Sequence, residues 1–147
     1  MNFTVEISAP VKQVFEAIAD LPNYGRWLPP SGLYAGKTEP LEVPIRLGTR
    51  YEDRATRGTT LSGTITAFDP PHTIGFHQST RQVLGTLAVD IAYQLQPIEG
   101  GTRLHRTTEP SYTGVLSVFG PLIARSIRSE NLRTLQALKR YLEANPG

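Results

Sequence analysis

The stretch from Gly114 to Ala144 reads as one long helical pattern, and it dictates most of what the rest of the chain can be. Apolar residues recur at Leu122, Ile123, Ile127, Leu135, Leu138, Tyr141 and Leu142, three or four apart over several turns, the period of one buried helix face. Arg125, Arg128, Arg133, Lys139 and Arg140 supply a wettable flank, while Ser126, Glu130, Asn131 and Thr134 interrupt the seam. Gly120-Pro121 falls inside the pattern, so the spacing predicts a short leading helix, a kink, and a main helix from Pro121 to Ala144 of about 36 Å. A helix of that length needs a broad apolar surface to lie on, and only a sheet built from the preceding residues can offer one. A curved sheet around a long helix leaves a cavity, and cavities hold ligands.

The preceding residues read as that sheet. Phe3, Val5 and Ile7 alternate with Asn2, Thr4, Glu6 and Ser8, the period of a half-buried strand. Ser8-Ala9-Pro10 then opens a helix, with a capping residue nearby and Pro in the first turn, and Val11, Val14, Phe15 and Ile18 form its apolar stripe. A second short helical turn runs from Pro22 to Trp27. Extended segments are predicted at Leu33–Glu39, Thr49–Thr56, Thr60–Phe68, Thr73–Thr80, Gly85–Leu95 and Thr102–Glu109. Arg57-Gly58-Thr59 reads as a hairpin connection, and Asp69-Pro70-Pro71-His72 and Glu99-Gly100-Gly101 as turns. Short connections between strands imply an antiparallel sheet with helices on one face, an α+β domain.

Composition sets the bounds. With 147 residues, 39% of them hydrophobic, the chain fits one domain over residues 1–147. A net charge of +2 without a clustered basic block argues against nucleic acid as partner. The absence of cysteine excludes disulfides, thiolate metal sites and a cysteine nucleophile. Residues 1–9 alternate like a strand and carry no apolar signal core, and the nearly uncharged stretch Tyr112–Ala124 is too short to span a bilayer. A cytoplasmic protein without stable membrane insertion is the expectation; oligomeric state is not legible.

Four segments carry a family resemblance: "ISAPVKQVFEAIADLPNYGRWLP", "GTITAFDPPHTIGFH", "YQLQPIEGGTRLHRT" and "RTLQALKRYLEAN". In this order they resemble the START-like, birch-pollen-allergen-like helix-grip superfamily, in particular its polyketide cyclase/dehydrase and lipid transport branch. The resemblance covers essentially the whole chain. It implies a seven-stranded antiparallel sheet wrapped around the C-terminal helix, two short helices after the first strand, and an enclosed apolar pocket. It also implies that members bind lipids, quinones, hormones or polyketides, that a minority catalyse cyclisation or dehydration, and that the region of Trp27 borders the pocket mouth. Fold by itself does not choose among these activities.

Strand parity nominates the interior. If Leu87, Val89 and Ile91 face the helix, so does Tyr93; Leu104 carries Arg106 and Thr108 with it, and Tyr51 carries Asp53. Asp53 and Arg106 are thus expected as polar groups in an apolar cavity, paired with each other, near Tyr51 and Tyr93. The alternative is that a bulge or register shift turns both to solvent. The ligand-binding candidates are Trp27, Tyr51, Phe76, Tyr93, Arg106, Phe119, Ile123, Ile127 and Asn131, each also readable as core packing. Asn131, on an otherwise apolar stripe, needs partners in a dry core and could orient a ligand in a wet one.

His77 and His105 fall on the faces opposite Phe76 and Leu104 and are expected outward, with His72 in the Pro-Pro turn. No HxH or HExxH spacing, no G-x-S-x-G elbow and no phosphate-binding loop occurs, so no metal and no cofactor is expected. Binding of a small hydrophobic or amphipathic molecule is the leading reading. An aromatase/cyclase or dehydratase is the alternative, with Asp53 or His77 taking a proton, Arg106 stabilising an enolate and a tyrosine donating. A protein-interaction module, with a filled cavity and an exposed apolar patch, is the third.

Overall fold

The computed structural model describes residues 1–31, 38–54, 60–82 and 84–145, except for the side chains of Arg54 and Gln82. Strand β1 (Asn2–Ile7) leads into helix α1 (Val11–Ala19) and a 3₁₀ turn (Leu21–Arg26); strands β2 (Thr38–Pro40), β3 (Arg50–Arg54), β4 (Thr60–Asp69), β5 (Thr73–Gln82), β6 (Gly85–Ile98) and β7 (Gly101–Tyr112) follow. A second 3₁₀ segment (Gly114–Phe119) precedes helix α2 (Gly120–Ala144). The strands form one seven-stranded sheet in the order β1-β7-β6-β5-β4-β3-β2, and every neighbouring pair is antiparallel. This is the expected α+β helix-grip arrangement. The predicted strand over Leu33–Glu39 is described only from Thr38 onward, and the predicted 57–59 hairpin lies outside the described residues.

The expected helix start needs correction. Pro10 is itself the N-cap of α1, and no side chain caps it; the Ser8 amide instead donates to Glu143 Oε2 of α2 at 3.2 Å. The stripe Val14, Phe15 and Ile18 is buried as the period requires. At the β6–β7 hairpin Gly100 adopts φ +79°, a left-handed turn position that a side chain would strain.

Strand β4 holds a feature that alternation alone does not announce. Its register with β5 slips between Ile65 and Ala67, so Ile65 pairs with Phe76 but Phe68 pairs with Ile74. The extra residue bends the strand and restores Phe68 to the concave side, where its ring meets Phe15 at 5.8 Å. Such bending lets the sheet curve around a helix.

Helix α2 buries Ile127, Asn131, Thr134, Leu135, Ala137, Leu138 and Leu142. Two residues expected on the apolar face are displaced: Leu122 is 65% exposed, and Phe119 ends the 3₁₀ segment at 45% exposed. The helix backbone approaches β1, α1 and the 3₁₀ segment, and approaches none of β3–β6 to a similar extent. At about 100° per residue Leu122 lies on the opposite side of the helix from Ile127, Asn131, Leu135 and Leu138 and so turns to solvent, whereas two of the supposed interruptions, Asn131 and Thr134, face inward. Among the described residues no helix is long and apolar enough to cross a membrane. Leu138→Ala should cost about 2–5 kcal/mol in denaturant unfolding, and Leu122→Ala should change stability by no more than about 0.5 kcal/mol.

Candidate functional site

The registers arrange the concave face in rows. Next to the buried Leu95–Leu104 pair, Arg106 of β7 lies between Phe3 of β1 and Tyr93 of β6, and Tyr93 is level with Ile74. The next row holds Ile65, Phe76, Ile91 and Thr108. Beyond it come Tyr51, Gly63, Gln78, Val89 and Pro110, then Thr80, Leu87 and Tyr112 toward the end where β7 hands over to α2. Along β6 the inward residues Leu87, Val89 and Ile91 remain half-buried, while Tyr93 and Leu95 are buried. The concavity is thus closed at the Tyr93 end and more open above Leu87–Ile91.

A polar cluster occupies the deep end. Arg106 is only 7% exposed; its Nε donates to Asn131 Oδ1 at 2.5 Å, one terminal nitrogen donates to the Tyr93 hydroxyl, and its guanidinium lies 5.0 Å from the centre of the Tyr93 ring. Thr108 Oγ1 donates to the same Asn131 oxygen at 2.8 Å, and Asn131 Nδ2 donates to the Ile127 carbonyl one turn back at 2.8 Å. Asn131 is therefore the partner that makes Arg106 tolerable in a dry interior. No ion pair joins Arg106 to a carboxylate of the described residues.

A second cluster stands toward the mouth. Asp53, half-buried, accepts from the hydroxyl of buried Thr38 and from Gln78 Nε2 at 3.1 Å, and the same Gln78 nitrogen reaches the Tyr51 hydroxyl at 2.8 Å. Burial pushes the Asp53 carboxyl up to about 6, against the lowering effect of its two hydrogen bonds. Burial likewise raises the Tyr51 phenol, and the neighbouring Asp53 charge adds to the rise. The ring of Phe76 stands between the clusters, edge-on to Tyr51 at 5.9 Å and to Tyr93 at 6.1 Å.

The expected Asp53–Arg106 pairing thus needs correction: both point inward, yet each has its own neutral partners. The registers give the reason. Asp53 pairs with Leu61, one position beyond the Ser62–Ser79 pair, whereas Arg106 is level with Ile74, toward the other end of β5.

The remaining candidates divide. Phe76 and Ile127 are buried facing the concavity, Ile123 is half-buried above it, and Phe119 lies outside. His77, a proposed base, does not join the pocket: it pairs with Asp90 at 2.6 Å on the convex face, and its ladder to β4 and β6 is regular there. Trp27 is buried against Tyr24 at 5.0 Å between ring centres. It lines a separate cleft of about 330 Å³ between α1, the first 3₁₀ turn and the end of α2, with no strand residue in its wall. Its Nε1 and the hydroxyl of Thr80 are buried without partners among the described residues.

Four residues complete the arrangement without having been singled out in the sequence. Thr38 and Gln78 hold Asp53. Tyr24 donates to the Ile18 carbonyl, and its phenol is raised well above the usual value by burial and then by Tyr93, Tyr51 and Asp53. Gly63 makes room for Tyr51, because a Cβ there would lie 2.1 Å from Tyr51 Cζ. The alternation of β5 could have flagged Gln78, inward between Phe76 and Thr80; Gly63 carries no signal until β3 and β4 are paired.

Outside the concavity, Val115 (52% exposed), Val118 (75% exposed), Phe119 and Leu122 form an apolar surface on the second 3₁₀ segment and the first turn of α2. Leu84, on the β5–β6 turn, joins it through its carbonyl, which accepts from the Leu116 amide at 3.2 Å.

Two predictions follow from the Asp53 cluster. With its folded value raised from 3.8 to about 6, Asp53 holds a proton in the folded protein that the unfolded chain has released, so its contribution to stability falls as pH rises through that window and stays reduced above it. Asp53→Asn should raise stability at pH 8 by about 1–2 kcal/mol and leave it nearly unchanged below pH 4, measured by denaturant unfolding across pH. Gly63→Ala should cost about 1–3 kcal/mol, and that cost should shrink in a Tyr51→Ala background if the clash with the Tyr51 ring is its cause.

Comparison with known proteins gives the chain its relatives. Solved structures with the same fold include protein MLL2253 from Mesorhizobium loti, at TM-score 0.74 and 17% identity, covering 100% of both chains. Ara h 8.0201 matches at TM-score 0.74 and 15% identity, over 99% of this chain and 97% of its own. The di-domain ARO/CYC StfQ from the steffimycin biosynthetic pathway matches at TM-score 0.68 and 14% identity, over 97% of this chain and 44% of its own. At these identities the likeness is one of fold. No curated protein matches the sequence significantly. Residues 1–143 match a family described as polyketide cyclase / dehydrase and lipid transport, and with nearly its whole length covered the chain belongs to that family.

Proposed function

We propose that the protein binds a hydrophobic or amphipathic small molecule between the concave face of the sheet and α2. The observation that carries this reading is the exposure retained by Leu87, Val89 and Ile91, three apolar residues that point inward from the middle of the sheet. In a filled core they would be buried like Tyr93 and Leu95 of the same strand. Helix α2 makes its nearest backbone approach to β1 and not to β6. Apolar ligand surface placed there is removed from water at roughly 25 cal/mol per Å². Membership of a family described as polyketide cyclase / dehydrase and lipid transport supports the same reading.

One observation favours an enzyme of the cyclase or dehydratase kind as a second reading. A carboxyl raised to about 6 is poised to exchange a proton near neutral pH, and Asp53 shares Gln78 with the Tyr51 phenol. Proton abstraction beside a carbonyl and its return to an oxygen could run between such groups.

Native mass spectrometry of the freshly purified protein, followed by organic extraction, tests both readings. The expected result is an added mass that is lost on denaturation and extracts as an apolar compound. Val89→Trp, which fills the open middle of the concavity, should abolish it and prevent uptake of a neutral apolar dye. Dye uptake by this variant equal to that of the unsubstituted protein would place the binding elsewhere. Conversion of the bound compound during incubation, lost in Asp53→Asn while binding persists, would decide for the enzyme.

A further inference from the structure

The deep end of the concavity holds a full positive charge that the protein does not neutralise. Arg106 is 7% exposed, and its partners, the Asn131 amide oxygen and the Tyr93 hydroxyl, are both neutral. Asn131 is itself 2% exposed, and its Oδ1 accepts from both Arg106 and Thr108, so it has no lone pair left for the guanidinium. Two bonds leave the second terminal nitrogen of the guanidinium without a partner among the described residues. The carboxylates that could have answered the charge are engaged elsewhere. Asp53 is held by Thr38 and Gln78, and Glu130, beside Asn131 on α2, turns to Arg133 and Ser31. Glu109 lies exposed on the opposite parity of β7. A buried guanidinium without a counter-charge is costly, and an anionic partner repays that cost.

We propose that the ligand of this pocket carries an acidic oxygen, a carboxylate or the ionised oxygen of an enol or phenol, and that Arg106 receives it. The inference rests on the binding reading above and narrows its ligand to an apolar body with an anionic end. The body lies along Phe76, Ile91, Val89 and Leu87. The anionic end meets Arg106 where the Tyr93 hydroxyl and Asn131 already fix the guanidinium plane, so little side-chain freedom remains to be lost on binding. A ligand neutral at that end would leave the charge unanswered and bind more weakly.

The test compares ligands that differ only at the head. Dodecanoate, methyl dodecanoate and dodecan-1-ol, each below its aggregation concentration, compete against Nile red in the purified protein at pH 8. The acid is expected to bind about tenfold to a hundredfold more tightly than the ester or alcohol, the margin of a charge-assisted hydrogen bond. Arg106→Met, which keeps the apolar stem, should bring the acid down to the level of the ester and leave the ester unchanged. If that variant does not fold, the ratio of acid to ester in the unsubstituted protein decides alone. Equal binding of acid and ester would overturn the proposal while leaving the binding reading intact. No displacement by any of the three would remove the binding reading and the proposal together. Acetate or inorganic phosphate raising the melting temperature as far as dodecanoate does would also overturn it, by showing a site for free small anions.

Discussion

The contact on which the rest of the molecule depends is the one between Arg106 and Asn131. It ties the floor of the sheet to the long helix by a directional bond inside the core, as Lys139 Nζ does further along by donating to the Glu6 carbonyl of β1. Burial fixes how far a helix sits from a sheet only loosely, because many side-chain packings give similar areas. A hydrogen bond does so within tenths of an ångström. Asn131 also accepts from Thr108, so β7 holds the helix at two successive inward positions. With α2 fixed there, the stripe Leu135, Leu138 and Leu142 closes the far end as ordinary core, and the opposite end stays open over β6. The concavity is therefore a consequence of where the helix is pinned.

Curvature is the second constraint. A flat sheet would leave Phe68 and Asp53 too far from the helix axis to contribute to one interior. The slip at Ile65/Ala67 bends β4, and the Tyr51 ring resting on Gly63 draws β3 close over β4. The two devices act on neighbouring strands at the side of the sheet away from β1. That side has less backbone contact with α2 than β1 has, so bends within the strands themselves contribute the curvature.

Much of this was legible in the sequence because period-2 and period-3.6 patterns report burial directly. The inward set Tyr51, Asp53, Tyr93, Arg106 and Thr108 follows from alternation within single strands, and Asn131 stood out as polar on an apolar stripe. What was not legible depends on relations between strands. Parity says that Asp53 and Arg106 point to the same side, but how far apart they lie depends on the registers of five strands, and the guess that they pair failed for that reason. The bulge in β4 and the role of Gly63 are likewise properties of a pairing. Leu122 falls off the inward stripe of Ile127, Asn131, Leu135 and Leu138, and Phe119 belongs to the 3₁₀ segment before the helix. A spacing of three or four to one apolar neighbour therefore did not put either on the buried face.

The separation of Asp53 from Arg106 bears on the chemistry more than their presence does. Had they paired, the carboxylate would have been held low, the guanidinium would have been neutralised, and the pocket would have been closed by its own polar groups. Apart, each keeps what a ligand can use: Asp53 a proton exchangeable near pH 6, and Arg106 an unanswered positive charge. Phe76 maintains the separation by filling the row between them with an apolar edge that neither can cross. The interior thus runs from positive at Arg106, through the apolar row of Phe76 and Ile91, to the weakly acidic Asp53, level with Thr80 and Leu87 at the mouth. A ligand matching that sequence of layers would be oriented along the strands, with its charged end inward and its outer end beside the carboxyl of Asp53. The same order suits a carrier that must hold its cargo one way round and an enzyme that must present one carbon to a base. The layers therefore constrain the ligand more tightly than they constrain the activity.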